Sequence, residues 1–142
     1  MAQLIRNITE LTRCGVQYRT ESLAPLGLKA CHASYLLEIC REPGISQDRL
    51  AERICINKSN VARQAAALEE AGFISRTPCA NDKRIMELYP TEKTLELMPQ
   101  IRHIMKSWSS YLTQDLTEQE QEQLAVILTK MKDRAAAWME EH

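Results

Sequence analysis

Residues 46–63 have the sequence SQDRLAERICINKSNVAR, and this stretch decides the fold. Within it, Ser46 and Asn57 each precede an apolar pattern of helical spacing, and both residue types are favoured N-caps. Each pattern therefore predicts a short helix, the second of which ends at Gly72. The positions predicted to face inward are Leu50, Ala51, Ile54, Val61, Ala65 and Leu68. Two short helices joined by a three-residue turn form the helix-turn-helix pattern.

A pair of predicted strands follows the second of these helices. Residues 73–77 and 84–89 alternate between apolar and polar side chains, and residues 78–83 between them are rich in turn formers. This pattern predicts a β-hairpin with a basic, polar tip. We call the hairpin, residues 73–89, the wing.

Longer helices are predicted on both sides of this region. Apolar periodicity predicts helices over residues 3–23, 29–41 and 91–113, and a last helix after residue 117. Thr91 is the predicted cap of the fifth helix, and Pro99 inside that helix predicts a bend. Thr117 and Glu120 fit a capping box for the sixth. The predicted fold class is mainly α: a winged helix-turn-helix with long N- and C-terminal dimerisation helices and one small β-hairpin wing.

The first, fifth and sixth helices carry more apolar surface than a small wing domain needs for its own cover. A second copy of the chain is the simplest partner for these stripes, so the sequence predicts a homodimer. The predicted organisation is one continuous fold with an N-terminal dimerisation helix (1–27), a DNA-binding region (28–90) and C-terminal dimerisation helices (91–142).

Charge is distributed unevenly along a chain whose net charge is −1. Residues 92–142 hold six basic and nine acidic side chains, whereas no acid lies between Arg53 and Leu68, a stretch that also contains Lys58 and Arg63. Screening limits each charge to about 8–10 Å, so a local acid-free stretch favours phosphate binding more than the total suggests. Neither an apolar run of eighteen residues nor a leader pattern occurs, so we expect a cytoplasmic protein without membrane contact.

The five cysteines, at positions 14, 31, 40, 55 and 79, are predicted to be free thiols, because their number is odd and no CxxC occurs. We expect Cys14, Cys31 and Cys40 to be buried packing residues. Cys55 and Cys79 are the candidates for oxidation. The histidines and cysteines lack the spacing of a metal site, and we expect no metal or cofactor.

Three stretches in fixed order resemble the MarR family of regulators. Leu23-Ala24-Pro25-Leu26-Gly27-Leu28 is similar to the family's link between its first two helices, and residues 46–63 match its helix-turn-helix. Asn81-Asp82-Lys83-Arg84, followed by Leu88-Tyr89-Pro90-Thr91-Glu92-Lys93, matches its wing and the start of the next helix. The agreement covers about residues 20–112. Two residues depart from the pattern: Cys55 stands where many members have glycine, and Ile85 where many have a small residue.

The resemblance implies a homodimer whose operator binding is relieved by a small molecule or by oxidation. Asp82 would orient Arg84 towards the minor groove, whose negative potential attracts arginine. The N-terminal half of the predicted recognition helix would enter the major groove and place Lys58, Ser59, Asn60, Arg63 and Gln64 near bases and phosphates. Ser46 and Gln47 at a helix N-terminus, together with Arg76 and Lys83 in the wing, are predicted phosphate contacts.

The effector of such regulators usually occupies a cleft between the dimer helices and the wing domain. Helix position makes Arg13, Tyr18, His32 and Tyr35 candidates for binding a small aromatic or phenolic effector. Two other functions remain open: a winged-helix module that binds protein rather than duplex DNA, which the neutral net charge favours, and an enzyme. No nucleophile with a base, phosphate loop or carboxylate pair supports the enzyme.

Overall fold

The computed structural model describes residues 1–142 and divides into two units, residues 1–105 and 106–142. Six helices and three strands follow one another along the chain. The helices are α1 (Ala2–Leu23), α2 (His32–Arg41), α3 (Gln47–Ile54), α4 (Lys58–Glu70), α5 (Glu92–Leu112) and α6 (Glu118–Glu141). The strands are β1 (Ile45–Ser46), β2 (Ile74–Pro78) and β3 (Met86–Pro90). The mainly helical winged architecture predicted from the sequence is confirmed.

The core of the first unit is aliphatic and is built around the two short helices. Leu50 of α3 and Val61, Ala65 and Leu68 of α4 are completely buried, as the apolar spacing predicts. Other completely buried side chains come from α2, from β3 and from α5: Tyr35, Leu36, Ile39, Leu88 and Ile101. Because each buried leucine or isoleucine contributes about 1.5–3 kcal/mol, this cluster holds α3 and α4 in a fixed relative orientation.

The sheet contains a strand that the sequence does not predict. Its order is β1-β3-β2, and both pairs are antiparallel. Ile45 pairs with Leu88, and Arg76 lies opposite Leu88 on the other side. A strand of two residues is too short to show alternation, so only the position of β3 next to it reveals it.

The predicted caps are present at three helix starts. Ser46 Oγ accepts the Arg49 N–H at 3.1 Å, and Asn57 Oδ1 accepts the Asn60 N–H at 2.8 Å. Thr117 and Glu120 form the reciprocal capping box. The sequence therefore determined where α3, α4 and α6 begin.

Two helix starts differ from the prediction. The second helix begins at His32 rather than at residue 29, because residues 29–31 form a turn in which Lys29 N–H donates to His32 Nδ1. At the start of α5 the Thr91 hydroxyl contacts the carbonyl oxygens of Gly72 and Phe73, at 2.7 and 3.1 Å. Thr91 therefore attaches α5 to the turn between α4 and β2.

The turn between α3 and α4 is left-handed at Cys55, the one non-glycine residue of the chain with a positive φ (57°). The turn is thus built in the conformation that glycine adopts freely, although Cys55 stands where many MarR members have glycine. The Cys55 N–H lies 3.3 Å from the Glu52 carbonyl oxygen. A left-handed backbone costs a residue with a Cβ about 1–2 kcal/mol.

Cys55→Gly is expected to raise the free energy of unfolding by about 0.5–1 kcal/mol, because relief of this strain exceeds the extra entropy of glycine in the unfolded chain. The thermal midpoint should rise by about 2–4 °C at fixed protein concentration. Cys55→Ala is the matched control: it removes the thiol, keeps the strain and should leave the midpoint nearly unchanged. A glycine variant that melts below the alanine variant would contradict this account.

In the second unit, residues 106–142, no residue is buried. The 24-residue helix α6 nevertheless carries large apolar side chains, each at least half exposed: Val126, Ile127, Leu128, Trp138 and Met139. In the first unit α1 buries only Gly15 and Leu23 and leaves Ile5, Ile8 and Leu11 exposed. Both helices therefore present apolar surface that the single chain does not cover. None of the six helices has the length and hydrophobicity needed to cross a bilayer.

Candidate nucleic-acid interface

Helix α4 presents a polar, mostly exposed surface over its first seven residues. Lys58, Ser59 and Arg63 are exposed, and Asn60 and Gln64 are half-buried. The exposed guanidinium of Arg63 makes no hydrogen bond or ion pair within the chain. Its five N–H donors are therefore available to an external acceptor.

The other polar side chains at this end of α4 already have partners. Lys58 Nζ lies 3.4 Å from Asp48 Oδ2 of α3, and this ion pair is exposed on both sides. Ser59 Oγ donates to Asn57 Oδ1 at 2.9 Å, so the cap residue accepts two hydrogen bonds. Exposed pairs of this kind contribute at most about 1 kcal/mol. Lys58 can therefore exchange Asp48 for a phosphate at small cost.

The side chain of Gln64 is held by a hydrogen bond to a buried residue of the first unit. Its Oε1 lies 3.0 Å from Nε2 of His32, a residue of α2 that is 5% exposed. Burial, the largest effect, lowers the pKa of His32, while the Gln64 hydrogen bond opposes this shift. His32 therefore connects α2 to the exposed face of α4, a contact that helix position alone does not predict.

Arg76 lies in a network that joins the wing to both short helices. Its guanidinium contacts Glu69 Oε1 of α4 at 3.1–3.2 Å, and its backbone N–H donates to Glu69 Oε2 at 3.0 Å. Nη1 also donates to Gln47 Oε1 at 3.4 Å. Two residues predicted to contact phosphate, Gln47 and Arg76, are thus hydrogen-bonded to each other. Together with Glu69, they fix β2 against α3 and α4. The phosphate role of both stays a prediction.

Arg53 shows that an acid-free stretch of sequence is not acid-free in space. Its guanidinium lies 3.3 Å from Glu38 Oε2 and 3.4 Å from Glu42 Oε2, both of which belong to the α2 side of the unit. Glu42 also pairs with Arg49 at 3.5 Å. Arg53 therefore connects α3 to α2, and of the three cations in the stretch only Arg63 is unpaired.

Asp82 and Arg84 form a two-pronged pair at the tip of the wing. Arg84 Nε donates to Asp82 Oδ1 and Nη2 donates to Oδ2, both at 3.1 Å, and the Arg84 backbone N–H donates to Oδ1 at 3.0 Å. The Arg84 side-chain hydrogen bond, the largest effect, lowers the pKa of Asp82. Since 90% of the Arg84 side chain is exposed, the carboxylate orients a guanidinium that still faces solvent. Beside it, Lys83 is exposed and unpaired.

The four effector candidates do not share one exposed surface. Arg13 is exposed on α1, whereas Tyr35 is completely buried and its hydroxyl has no hydrogen-bond partner. Tyr18 is half-buried and donates to the Ile104 carbonyl oxygen at 2.8 Å, and His32 binds Gln64. Their role in effector binding stays a prediction.

All five cysteines are free thiols, as predicted. Cys14 and Cys31 are exposed, so the prediction that they are buried is wrong for the single chain, and Cys40 is half-buried. Helix periodicity places a residue on a face, but whether that face is covered depends on neighbouring elements. Cys55 is exposed and Cys79 is half-buried. The redox role of Cys55 and Cys79 stays a prediction.

Comparison with known proteins fits this geometry. The family model described as MarR matches residues 30–86, which contain α2, α3, α4 and the wing. The crystal structure of the transcriptional regulator SlyA is 31% identical, superposes with a TM-score of 0.92 and covers 96% of each chain. The chain belongs to the MarR family.

Two further relatives extend the comparison. The Bacillus subtilis (strain 168) protein YybA, an HTH-type transcriptional regulator, is 29% identical over 93% of this chain and 88% of its own length. A MarR family regulator from Listeria monocytogenes, solved in complex with 26-mer DNA, is 28% identical with a TM-score of 0.89 and covers 94% of this chain and 89% of its own. The protein is accordingly a MarR-type transcriptional regulator and not an enzyme.

Proposed function

We propose that this MarR family member is a homodimeric repressor that binds a pseudo-palindromic operator in duplex DNA and is released from it by a small aromatic molecule or an oxidant. The observation that carries the proposal is the pair of exposed arginines at the two predicted contact points. Arg63 is unpaired on α4, and Arg84 is oriented by Asp82 at the tip of the wing. Guanidinium groups suit both guanine edges in the major groove and the narrow minor groove.

The uncovered apolar surfaces of α1 and α6 support the homodimer. A helix of 24 residues without a buried side chain is unstable in water unless something covers its apolar face. A second copy would bury the same residues on both subunits about a two-fold axis, and α1, α5 and α6 are the helices we assign to that interface. The Listeria monocytogenes relative solved with DNA supports duplex DNA as the other partner.

The proposal is tested by footprinting the full chain on duplexes selected from a random library. Two recognition helices related by a two-fold axis should protect two half-sites about 34 Å apart, one helical turn of DNA. The affinity should fall steeply with salt, because phosphate contacts release counterions. Folded protein that protects no palindrome would refute the proposal.

A protein-interaction module is the second candidate. It is favoured by the net charge of −1 and by the pairing of Lys58, Arg53 and Arg76 with acids. The same salt titration separates the two functions. Affinity for DNA that is weak, insensitive to sequence and unaffected by salt would favour the module.

Release can be tested on the same complex. Titration with aromatic acids, and separately with peroxide, should dissociate the operator complex if either signal acts on this protein. Tyr35 is the effector candidate with an unused hydrogen-bonding group, and Cys55 and Cys79 are the thiols to block before peroxide is added. Cys55 is of interest because it lies in the turn between α3 and α4, three residues before α4 begins.

Asp82→Asn should weaken operator binding about tenfold, because each subunit loses the carboxylate that orders the exposed Arg84 guanidinium before DNA binds. Thermal stability should change little, since the pair is exposed. Because the pKa of Asp82 is lowered, chiefly by the Arg84 side-chain hydrogen bond, the carboxylate stays ionised to a lower pH than an ordinary aspartate, and the pair is lost as the pH falls through that lowered pKa. Operator affinity that rises in the asparagine variant, or a carboxyl titration above the ordinary aspartate value, would contradict this role.

A further inference from the structure

The hydrogen bonds of His32 determine its tautomer. Lys29 N–H, which can only donate, points at Nδ1 at 3.1 Å, so Nδ1 must carry a lone pair. Burial lowers the pKa of the ring, which favours its neutral form. A neutral imidazole with an unprotonated Nδ1 carries its proton on Nε2.

This proton in turn determines the orientation of the Gln64 side-chain amide. Nε2–H of His32 is a donor, so the amide atom 3.0 Å from it must be the carbonyl oxygen Oε1. The NH2 group of a planar carboxamide points about 120° away from its oxygen. The oxygen is therefore turned towards the buried histidine, and the two N–H donors are turned away from it.

Gln64 lies on the surface of α4 that we assign to the major groove. It stands one helical turn after Asn60, so the two share a face, and it follows the exposed Arg63. A glutamine that recognises adenine uses both amide atoms: Oε1 accepts from N6 while the NH2 donates to N7. With Oε1 turned towards the buried His32, Gln64 presents only its N–H donors to the outside.

We propose that His32 is a specificity-determining positioning residue, which holds the Gln64 carboxamide with its donors outward. This position of the recognition helix then selects guanine, whose O6 and N7 both accept, or thymine O4, over adenine, whose N6 group is itself a donor. The proposal rests on the proposed DNA-binding function. His32 acts only through Gln64 and touches no DNA. The half-site should therefore contain one position at which guanine or thymine is preferred and which depends on both residues.

Two substitutions of His32 separate its two hydrogen bonds. The side-chain amide of asparagine reaches the place of Nδ1, so His32→Asn retains an acceptor for Lys29 N–H and loses the donor to Gln64. The longer glutamine reaches the place of Nε2, so His32→Gln retains the donor and loses the acceptor. Each variant loses one hydrogen bond, which makes the pair a matched control for stability.

The experiment is selection of bound duplexes from a random library by the full-length wild type, His32→Asn, His32→Gln and Gln64→Ala. Gln64→Ala should abolish the guanine or thymine preference at one position of each half-site. His32→Asn should raise adenine at that same position by about tenfold relative to the wild type, because the amide can then turn its oxygen outward. His32→Gln should retain the wild-type preference.

The outcomes distinguish this inference from the function on which it rests. If the wild type selects no palindrome, the proposed function fails. If it selects one but prefers adenine where Gln64→Ala acts, or if His32→Asn leaves that position unchanged, the function stands and the inference is overturned. Nitrogen-15 NMR of wild-type His32 gives a test independent of variant folding: a ring protonated on Nδ1 at neutral pH would also overturn it.

Discussion

Arg63→Ala is expected to weaken operator binding by about 30-fold to 10⁴-fold while leaving the fold intact. One good bidentate contact to guanine is worth about 1–3 kcal/mol, and a two-fold symmetric complex contains two copies, so the loss is about 2–6 kcal/mol. Arg63 is exposed and makes no hydrogen bond or ion pair within the chain, so its removal leaves no polar group without a partner. Fluorescence titration of a labelled operator duplex at fixed salt measures the affinity.

Two controls show whether the loss comes from base recognition or from charge. Arg63→Lys keeps the charge and loses the fork-shaped donor geometry, so it should retain binding to unrelated DNA but lose most of the discrimination. Arg102→Ala removes the same charge from an exposed position of α5 and should change affinity little. Equal losses in Arg63→Ala and Arg102→Ala would mean that Arg63 contributes only general charge, and the assigned orientation of α4 would be wrong.

Ile127→Glu is expected to dissociate the dimer. Ile127 lies on α6 with 53% of its surface exposed in the single chain, within an apolar surface that we assign to the subunit interface. The loss of one buried isoleucine from each subunit costs about 3–6 kcal/mol, which raises the dissociation constant about 10²–10⁴-fold before any penalty for burying charge. Sedimentation equilibrium measures the constant, and operator binding should fall in parallel because a monomer holds only one half-site.

Thr129→Glu is the matched control for this substitution. It adds the same charge to α6 about 200° around the helix from Ile127, and its hydroxyl bonds only to the Ala125 carbonyl oxygen of its own helix. This variant should remain dimeric. If Ile127→Glu dimerises as tightly as the wild type, or if the wild type is monomeric at micromolar concentration, α6 does not form the interface.

Local sequence was sufficient wherever the deciding interaction lies within a few residues. Ser46, Asn57 and Thr117 each cap a helix through the N–H group three residues later, so residue type and spacing contain the whole interaction. The Asp82–Arg84 pair also spans only two residues of one turn, and it was predicted from the resemblance to the MarR family. By contrast, β1 depends on β3, more than forty residues further along the chain, and leaves no periodic signal.

The local sequence did not predict which charged side chains lack an ion pair within the chain and are free to bind DNA. Arg53, Arg63 and Arg76 look alike in the sequence, yet only Arg63 is unpaired, because Arg53 meets acids of the α2 side and Arg76 meets Glu69 across the α4–β2 turn. Pairing between segments follows from how α2, α3, α4 and the sheet pack, and a local charge pattern does not contain that information.

The sequence by itself determined the order and type of the main elements, the three helix caps and the position of the wing, because these depend on local hydrogen bonds and on the burial of periodic apolar residues. Tertiary structure alone decided which polar groups of the predicted interface are free, the left-handed turn at Cys55 and the contact between His32 and Gln64, residues that lie 32 positions apart. The physical reason is range: hydrogen bonds act over about 3 Å, and only the packed core brings distant residues that close.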